Sequence, residues 1–261
     1  MNAAMTTQSK RAMDAREANR KFYDIAAKVY ERVDGRRPQE APNWLRAELE
    51  KIKREAPEGP LLEIGCGAGW LLKAAEDLFP VRYGCDLSPE ILAIAKNRSR
   101  GVSASGAESL CFKDGSVAVA AFFATLHHLP EWRPPIEEAA RILKPGGVIY
   151  CDHDIESEFI NRHRTLVKAW RGIRKPWDKY RQAEPKLTEE LYRSAEWHED
   201  EGVSAARIRE ILEKTGFEKI NMTFHWMGIS PLTDAIGRLL GESSRPGAAP
   251  LLRVTARKKE F

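Results

Sequence analysis

The stretch Leu61–Leu72, LLEIGCGAGWLL, decides how the chain is read. An apolar run carrying one acid, Glu63, breaks into Gly65, Gly67 and Gly69, after which helix-forming residues resume. This is the pattern of a strand, a tight glycine turn and a helix start. Glycines there let a ligand lie against bare backbone where a Cβ would collide. The spacing differs from the dinucleotide pattern G-x-G-x-x-G: the third glycine comes one residue early, and Trp70 stands where that pattern requires glycine. An indole at the helix start disfavours a pyrophosphate, so the turn suits an uncharged or zwitterionic nucleoside better.

Outward from this turn the chain alternates strand and helix. Strands are predicted over 60–64, 81–85, 101–104, 117–124 and 148–152, with helices over 70–78, 89–98 and 135–143 between them. Ser88 and Pro89 form an N-cap and first-turn pair for the second of these helices. Lys144-Pro145-Gly146-Gly147 is expected to stop the third. A helix over 204–214, ended by Gly216, precedes two last strands, 217–226 and 251–258, with a helix-capable piece over 232–240. Such alternation predicts an α/β, Rossmann-like doubly wound and mostly parallel seven-stranded sheet. The remainder divides into N-terminal helices over 15–33 and 43–54, and a helical cap insertion over 154–200. The expected organisation is thus 1–58 covering the site, 59–153 the core, 154–200 the cap, and 201–261 the end of the core.

Bulk properties agree with one large domain carrying an insertion. The chain has 261 residues and a formal net charge of +4, too small to argue for nucleic acid by itself. Cys66, Cys85, Cys111 and Cys151 are too widely spaced for a zinc site and read as reduced cysteines near the core. No apolar run approaches the ~20 residues of a membrane span. The N-terminus lacks a signal-peptide core, so a cytoplasmic protein is expected.

Asp86, ending the second strand, can accept hydrogen bonds from both ribose hydroxyls of a nucleoside held by the glycine turn. Further motifs follow in order. YGCDLSPEILAIAKN, GAESLCFKDGSVAVAAFFATLHHLPEW and LKPGGVIY, together with the glycine turn, resemble the successive motifs of class I S-adenosylmethionine (AdoMet) methyltransferases. The closest group is the small-molecule type that includes quinone and sterol enzymes. The resemblance implies AdoMet as cofactor. It places Gly65, Cys66, Gly67 and Gly69 against the methionine and adenosine parts, with Glu63 below the turn and Asp86 on the ribose. Leu87, Ala107 and Glu108 would border adenine, and Phe123 and Leu126 would border the methyl donor. Phe22-Tyr23-Asp24 and Tyr30 resemble the opening segment of related enzymes, where Tyr23 and Tyr30 would close over the methionine end. Two departures stand out. Gly106 replaces the usual adenine-contacting aspartate, and Val117-Ala118 replaces the usual Phe-Asp before the fourth strand.

The fourth strand ends at Leu126-His127-His128-Leu129, beside the methyl donor in this geometry. His127 or His128 can take a proton from a substrate hydroxyl. In-line methyl transfer needs chiefly positioning, so both also read as a turn cap lining the cofactor site. Asp152, His153 and Asp154 are expected near the substrate opening, with His153 a third candidate imidazole. The trio invites a metal as in catechol methyltransferases, but strand four offers no second acid cluster, so no metal is assigned. The absence of Asn-Pro-Pro-Tyr and of a Pro-Cys pair argues against base methylation. From Phe159 to Tyr180, apolar Leu166, Trp170, Ile173 and Trp177 alternate with many basic residues and one acid, Asp178. This reads as a lid packed on the domain, or as contact with an anionic substrate or membrane surface. Pro176 should break its helix. The expected reaction is methylation of a small, anionic or apolar acceptor, with oxygen favoured. The alternatives are an RNA or protein methyltransferase docking through the basic insertion, and a non-catalytic AdoMet-binding scaffold. The oligomeric state stays open.

Overall fold

The computed structural model describes residues 7–34, 42–198 and 200–260. Seven strands form one sheet: β1 (Leu61–Ile64), β2 (Arg82–Asp86), β3 (Gly101–Ala104), β4 (Val117–Phe123), β5 (Leu143–Ile155), β6 (Phe217–His225) and β7 (Leu251–Lys258). Their order is β3-β2-β1-β4-β5-β7-β6, and only β7 runs antiparallel to its neighbours. The doubly wound, mostly parallel sheet expected from the strand–helix alternation is present. The strand order reverses between β1 and β4, which opens a crevice at their C-terminal ends.

Every residue of β4 is buried, because helices cover both faces. On one face Ala120 and Phe122 join Leu62 and Ile64 against α6 (Arg133–Ile142) and α11 (Ala205–Lys214). On the other, Val119, Ala121 and Phe123 pack against α3 (Asn43–Glu55), α4 (Trp70–Ala74) and α5 (Pro89–Ala95). The Ser88 hydroxyl accepts from the Ile91 amide at 3.2 Å and Pro89 opens α5, as its sequence predicted.

Three local expectations need correction. The helix over 15–33 is two helices, α1 (Thr7–Ala26) and α2 (Tyr30–Asp34). The bend between them buries Ala27 against Ala68 and Ile91, so tertiary packing outweighs continuous helix propensity. The first six residues of the polar N-terminal segment lie outside the described residues. Lys144–Gly147 does not separate helix from strand: α6 ends at Ile142, and β5 begins at Leu143. Its ladder with β4 shifts register between the Val117 and Val119 pairs, so these residues form a bulge. Finally, β5 runs on through Asp154 and Ile155, and the cap begins only at α7 (Ser157–Arg162).

The cap continues as α8 (Arg164–Arg174), α9 (Pro176–Ala183) and α10 (Glu189–Ala195). Pro176 opens α9 after Lys175 turns left-handed, at the break expected there. Phe22 and Ala26 of α1 bury against Leu187, Tyr192 and Ala195, so α1 is clamped to α10 across the top of the sheet. The helix-capable piece after β6 is α12 (Pro231–Leu240). Among the described residues no helix is long and apolar enough to cross a membrane.

Candidate functional site

A cleft opens at the β1–β4 switch point, beneath α1 and α2. Its floor is the glycine turn. A Cβ on Gly65 would collide with the Thr125 side chain, whose hydroxyl lies 3.2 Å from the Ile64 carbonyl. That contact ties the end of β4 to the end of β1. A Cβ on Gly67 would project towards the Tyr30 hydroxyl, 3.7 Å away, into the space a ligand needs. Glu63 is buried and accepts from the Leu72 amide at 3.2 Å, so it fixes the start of α4 below the turn.

Asp86 borders the cleft from the end of β2. Its two carboxylate oxygens accept from the Gly67 and Ser88 amides at 2.9 and 3.0 Å, which aims the group across the glycine turn. Burial pushes its pKa up, opposed by those amides. Each oxygen retains a lone pair for a ribose hydroxyl. Asn19 of α1, nine-tenths buried, also lines the cleft, and its Nδ2 has no partner among the described residues. An unpaired buried amide donor facing the cleft fits a polar ligand better than an apolar one.

The roof is latched at four points. Arg16 pairs with Glu108. The Ser88 hydroxyl donates to Asp24 at 2.6 Å. Arg98 reaches Glu31 at 2.6 Å and the Ala68 carbonyl at 2.8 Å. The Tyr23 hydroxyl meets His128 Nε2 at 3.1 Å. Because His128 Nδ1 lies 3.0 Å from the Ala195 carbonyl, which can only accept, Nδ1 carries the proton. Nε2 is therefore the acceptor and Tyr23 the donor. Burial, then the charge of His127, holds the His128 pKa down to about 4, so the ring is neutral at pH 7.

His127 is different. Its Nδ1 lies 2.6 Å from Asp154 Oδ1 and its Nε2 3.4 Å from Glu196. Burial opposes its charge, but the two carboxylates outweigh it and raise its pKa to about 10. Glu196 is held down to about 2; burial would raise it, and the histidines and Arg171 prevail. The His127 imidazolium thus joins Asp154 of β5, whose oxygens also accept the Leu126 and His127 amides, to Glu196 of the cap. A raised histidine pKa contributes stability that is complete below the unfolded value of 6.5 and lost as pH passes about 10. The melting temperature is expected to fall between pH 7 and 10. Melts of His127→Gln across the same range should lack that component.

Of the residues expected in the site, Tyr23, Tyr30, Glu63, Gly65, Cys66, Gly67, Asp86, Leu87, Ala107, Glu108, Phe123 and His128 line the cleft. Four do not. Gly69 faces Ala95 of α5, where a Cβ would come within 3.1 Å, so it serves helix packing. Leu126 is fully buried in the core. His127 points to its two carboxylates. His153 lies behind the cleft wall, stacked on Phe123 at 4.4 Å and on Trp44 at 5.1 Å.

Asp152 and Asp154 are likewise buried rather than placed at a substrate opening. A shift in the β5–β7 register between Cys151 and Asp154, with His153 in left-handed backbone, sends them to different partners. Asp152 accepts from Arg253 Nε at 2.8 Å, the Tyr150 hydroxyl at 2.7 Å and His225 Nε2 at 2.8 Å. Despite burial, Arg253 and then His225 hold its pKa well below the carboxylate range. Asp152, His153 and His225 lie within a metal's reach of one another, but the Arg253 guanidinium already supplies the positive charge. Among the site residues that sequence reasoning missed are Arg16, Asn19, Glu31, Arg98 and Thr125 on the cleft, and Glu196 behind it.

Comparison with known proteins bears on the family and the fold. Residues 62–151 match the family described as Methyltransferase domain. An uncharacterised protein of Methanocaldococcus jannaschii is 30% identical over 178 residues, covering 68% of this chain and 74% of that protein. The chain belongs to the class I AdoMet-dependent methyltransferase family. The demethylmenaquinone methyltransferase of Listeria monocytogenes is 23% identical over 199 residues, covering 71% of this chain and 81% of that enzyme. A Thermotoga maritima AdoMet-dependent methyltransferase, described as a possible histamine N-methyltransferase, superposes with a TM-score of 0.58 at 20% identity. It covers 91% of this chain and 100% of that one, and shares the fold.

Proposed function

We propose that this methyltransferase methylates a hydroxyl group on a small molecule, bound between Tyr23, Phe123 and His128. The observation that carries the reading is the Nε2 lone pair of His128. It is kept unprotonated by burial, oriented by the Ala195 carbonyl, and presented at the end of β4 on the cleft wall.

Bound AdoMet supplies an electrophilic methyl group on a sulfonium, transferred by in-line displacement. Asp86, Asn19 and the Gly65–Gly67 turn would hold it, with Glu63 keeping the turn and α4 in place. His128 would take the hydroxyl proton on Nε2 as the oxygen–carbon bond forms and the carbon–sulfur bond breaks. Tyr23, which donates to the same nitrogen, would orient the acceptor oxygen once displaced from it. The latched roof excludes water from the reacting atoms.

Incubation with methyl-labelled AdoMet and separate metabolite, RNA and protein fractions tests the reading. Label is expected in a small-molecule methyl ether. Label in RNA or protein, or on nitrogen or carbon, would overturn it. With that acceptor, His128→Gln is expected to lower the transfer rate about a hundredfold, the low end for a general base, at unchanged AdoMet affinity. The wild-type rate should fall only below about pH 5, as Nε2 protonates. Single-turnover rates across pH read both effects.

A further inference from the structure

At the end of β4, His127 and His128 meet a segment from far along the chain, the residues that close α10 and follow it. Three contacts join the two. The Ala195 carbonyl lies 3.0 Å from His128 Nδ1, and the Glu196 carboxylate lies 3.4 Å from His127 Nε2. The His198 amide donates to the His127 carbonyl at 2.8 Å. Glu196 also approaches His128 Nδ1, at 3.9 Å. The Ala195 carbonyl stands in the last turn of α10, where no later amide of the helix takes it. Ala195 itself is buried against Phe22 and Ala26 of α1. The position of its carbonyl is therefore set by how the cap sits on the domain.

The two ring nitrogens of His128 have unlike neighbours. At Nε2 the Tyr23 hydroxyl can donate or accept, so it fits either tautomer. At Nδ1 stand a carbonyl and a carboxylate, which at neutral pH only accept. The groups that choose where the proton sits thus both come from the cap. Without them Tyr23 could accept from a protonated Nε2, and the nitrogen on the cleft would lose its lone pair.

Glu196 ties this segment to the sheet. Its partner His127 is fixed on the other side by Asp154 Oδ1, 2.6 Å from Nδ1, and Asp154 is buried in β5 and accepts the Leu126 and His127 amides. An unbroken chain of charged contacts, Asp154 to His127 to Glu196, thus runs from the sheet to the residue beside the Ala195 carbonyl. We infer that Glu196 is a positioning residue: through His127 it docks the cap so that the His128 proton lies on Nδ1 and the Nε2 lone pair is open to the acceptor. Docking of the cap and readiness of the base are then a single event. The catalytic weight of this device rests on His128 being the base; the choice of tautomer does not depend on the acceptor.

Long-range proton–nitrogen NMR correlation on the full chain, with its histidines nitrogen-labelled, shows which ring nitrogen carries the proton. His128→Gln assigns the signal, and at pH 7 the ring is neutral. Wild type is expected to show His128 in the Nδ1–H form. Glu196→Ala should make the Nε2–H form the main species and lower the single-turnover rate about tenfold, in step with the Nδ1–H fraction that remains. Glu196→Gln keeps the shape and one acceptor oxygen without the charge, so it should show a minor Nε2–H fraction and a loss of about threefold or less. Glu196 does not line the cleft, so AdoMet affinity should match wild type and show that the variants fold. His128 found as Nε2–H in wild type, or as Nδ1–H alone in the folded variants, would overturn the inference whatever the rates do. Expected tautomers with a rate indifferent to His128→Gln would refute the base and leave the cap's control of the proton supported.

Discussion

Replacing Asp86 by alanine is expected to weaken AdoMet binding about 100- to 1000-fold in calorimetric titration. The side chain holds two positions of the backbone cradle, at the Gly67 and Ser88 amides. It also offers its remaining lone pairs to the ribose. Hydrogen bonds to a charged group are worth about 1.5–3 kcal/mol each, so losing two at the weaker end of that span, about 3–4 kcal/mol together, gives this range. Alanine further frees the Gly67 amide, and with it the curvature of the turn. Asp86→Asn keeps the shape and one acceptor oxygen, and should fall between the two. An affinity unchanged in Asp86→Ala would remove the ribose assignment.

The second large effect is on stability. Arg253→Met should destabilise the fold by about 3–5 kcal/mol, the usual result of removing one partner from a buried ion pair. Arg253 is 4% exposed and bridges Asp152 to Glu48 and Glu242. Without it, Asp152 would keep its charge in the interior with hydrogen bonds from Tyr150, the His153 amide and His225 but no guanidinium, and Glu48 would keep Lys51 as its remaining cation. The double change Asp152→Asn with Arg253→Met removes charge from both sides of the contact and should cost less than Arg253→Met alone. Urea unfolding of the three proteins measures this. Equal losses in the single and double variants would show that the pair contributes only packing.

The parts of the site that were legible in the sequence lie on contiguous motifs. The glycine turn, Asp86 and the end of β4 each follow a strand whose apolar run is plain, so their places at the strand ends follow from the alternation. What was hidden comes from distant segments that meet only in the fold. Arg16 and Asn19 belong to a helix whose sequence shows only amphipathic packing. Glu196 follows α10, and only the docking of the cap brings it to His127. The bulges at Lys144–Gly147 and His153 left no period of their own, so the reach of β5 and the burial of Asp152 and Asp154 were missed. Arg253 did leave a trace, a basic residue inside the apolar alternation of β7. Its partners Asp152 and Glu48 could not be read from that trace. The apolar stripe expected to pack the insertion on the domain divides over α7, α8 and α9, and its members Leu166 and Ile173 are exposed because Val167, on a neighbouring face of α8, makes the inward contact.

Titration of the wild-type chain with AdoMet in a calorimeter tests the central claim most directly. The account predicts saturable binding at one site per chain, competed by S-adenosylhomocysteine and by neither NAD nor ATP. An absence of binding heat at every temperature tried, or equal competition by a dinucleotide, would contradict it.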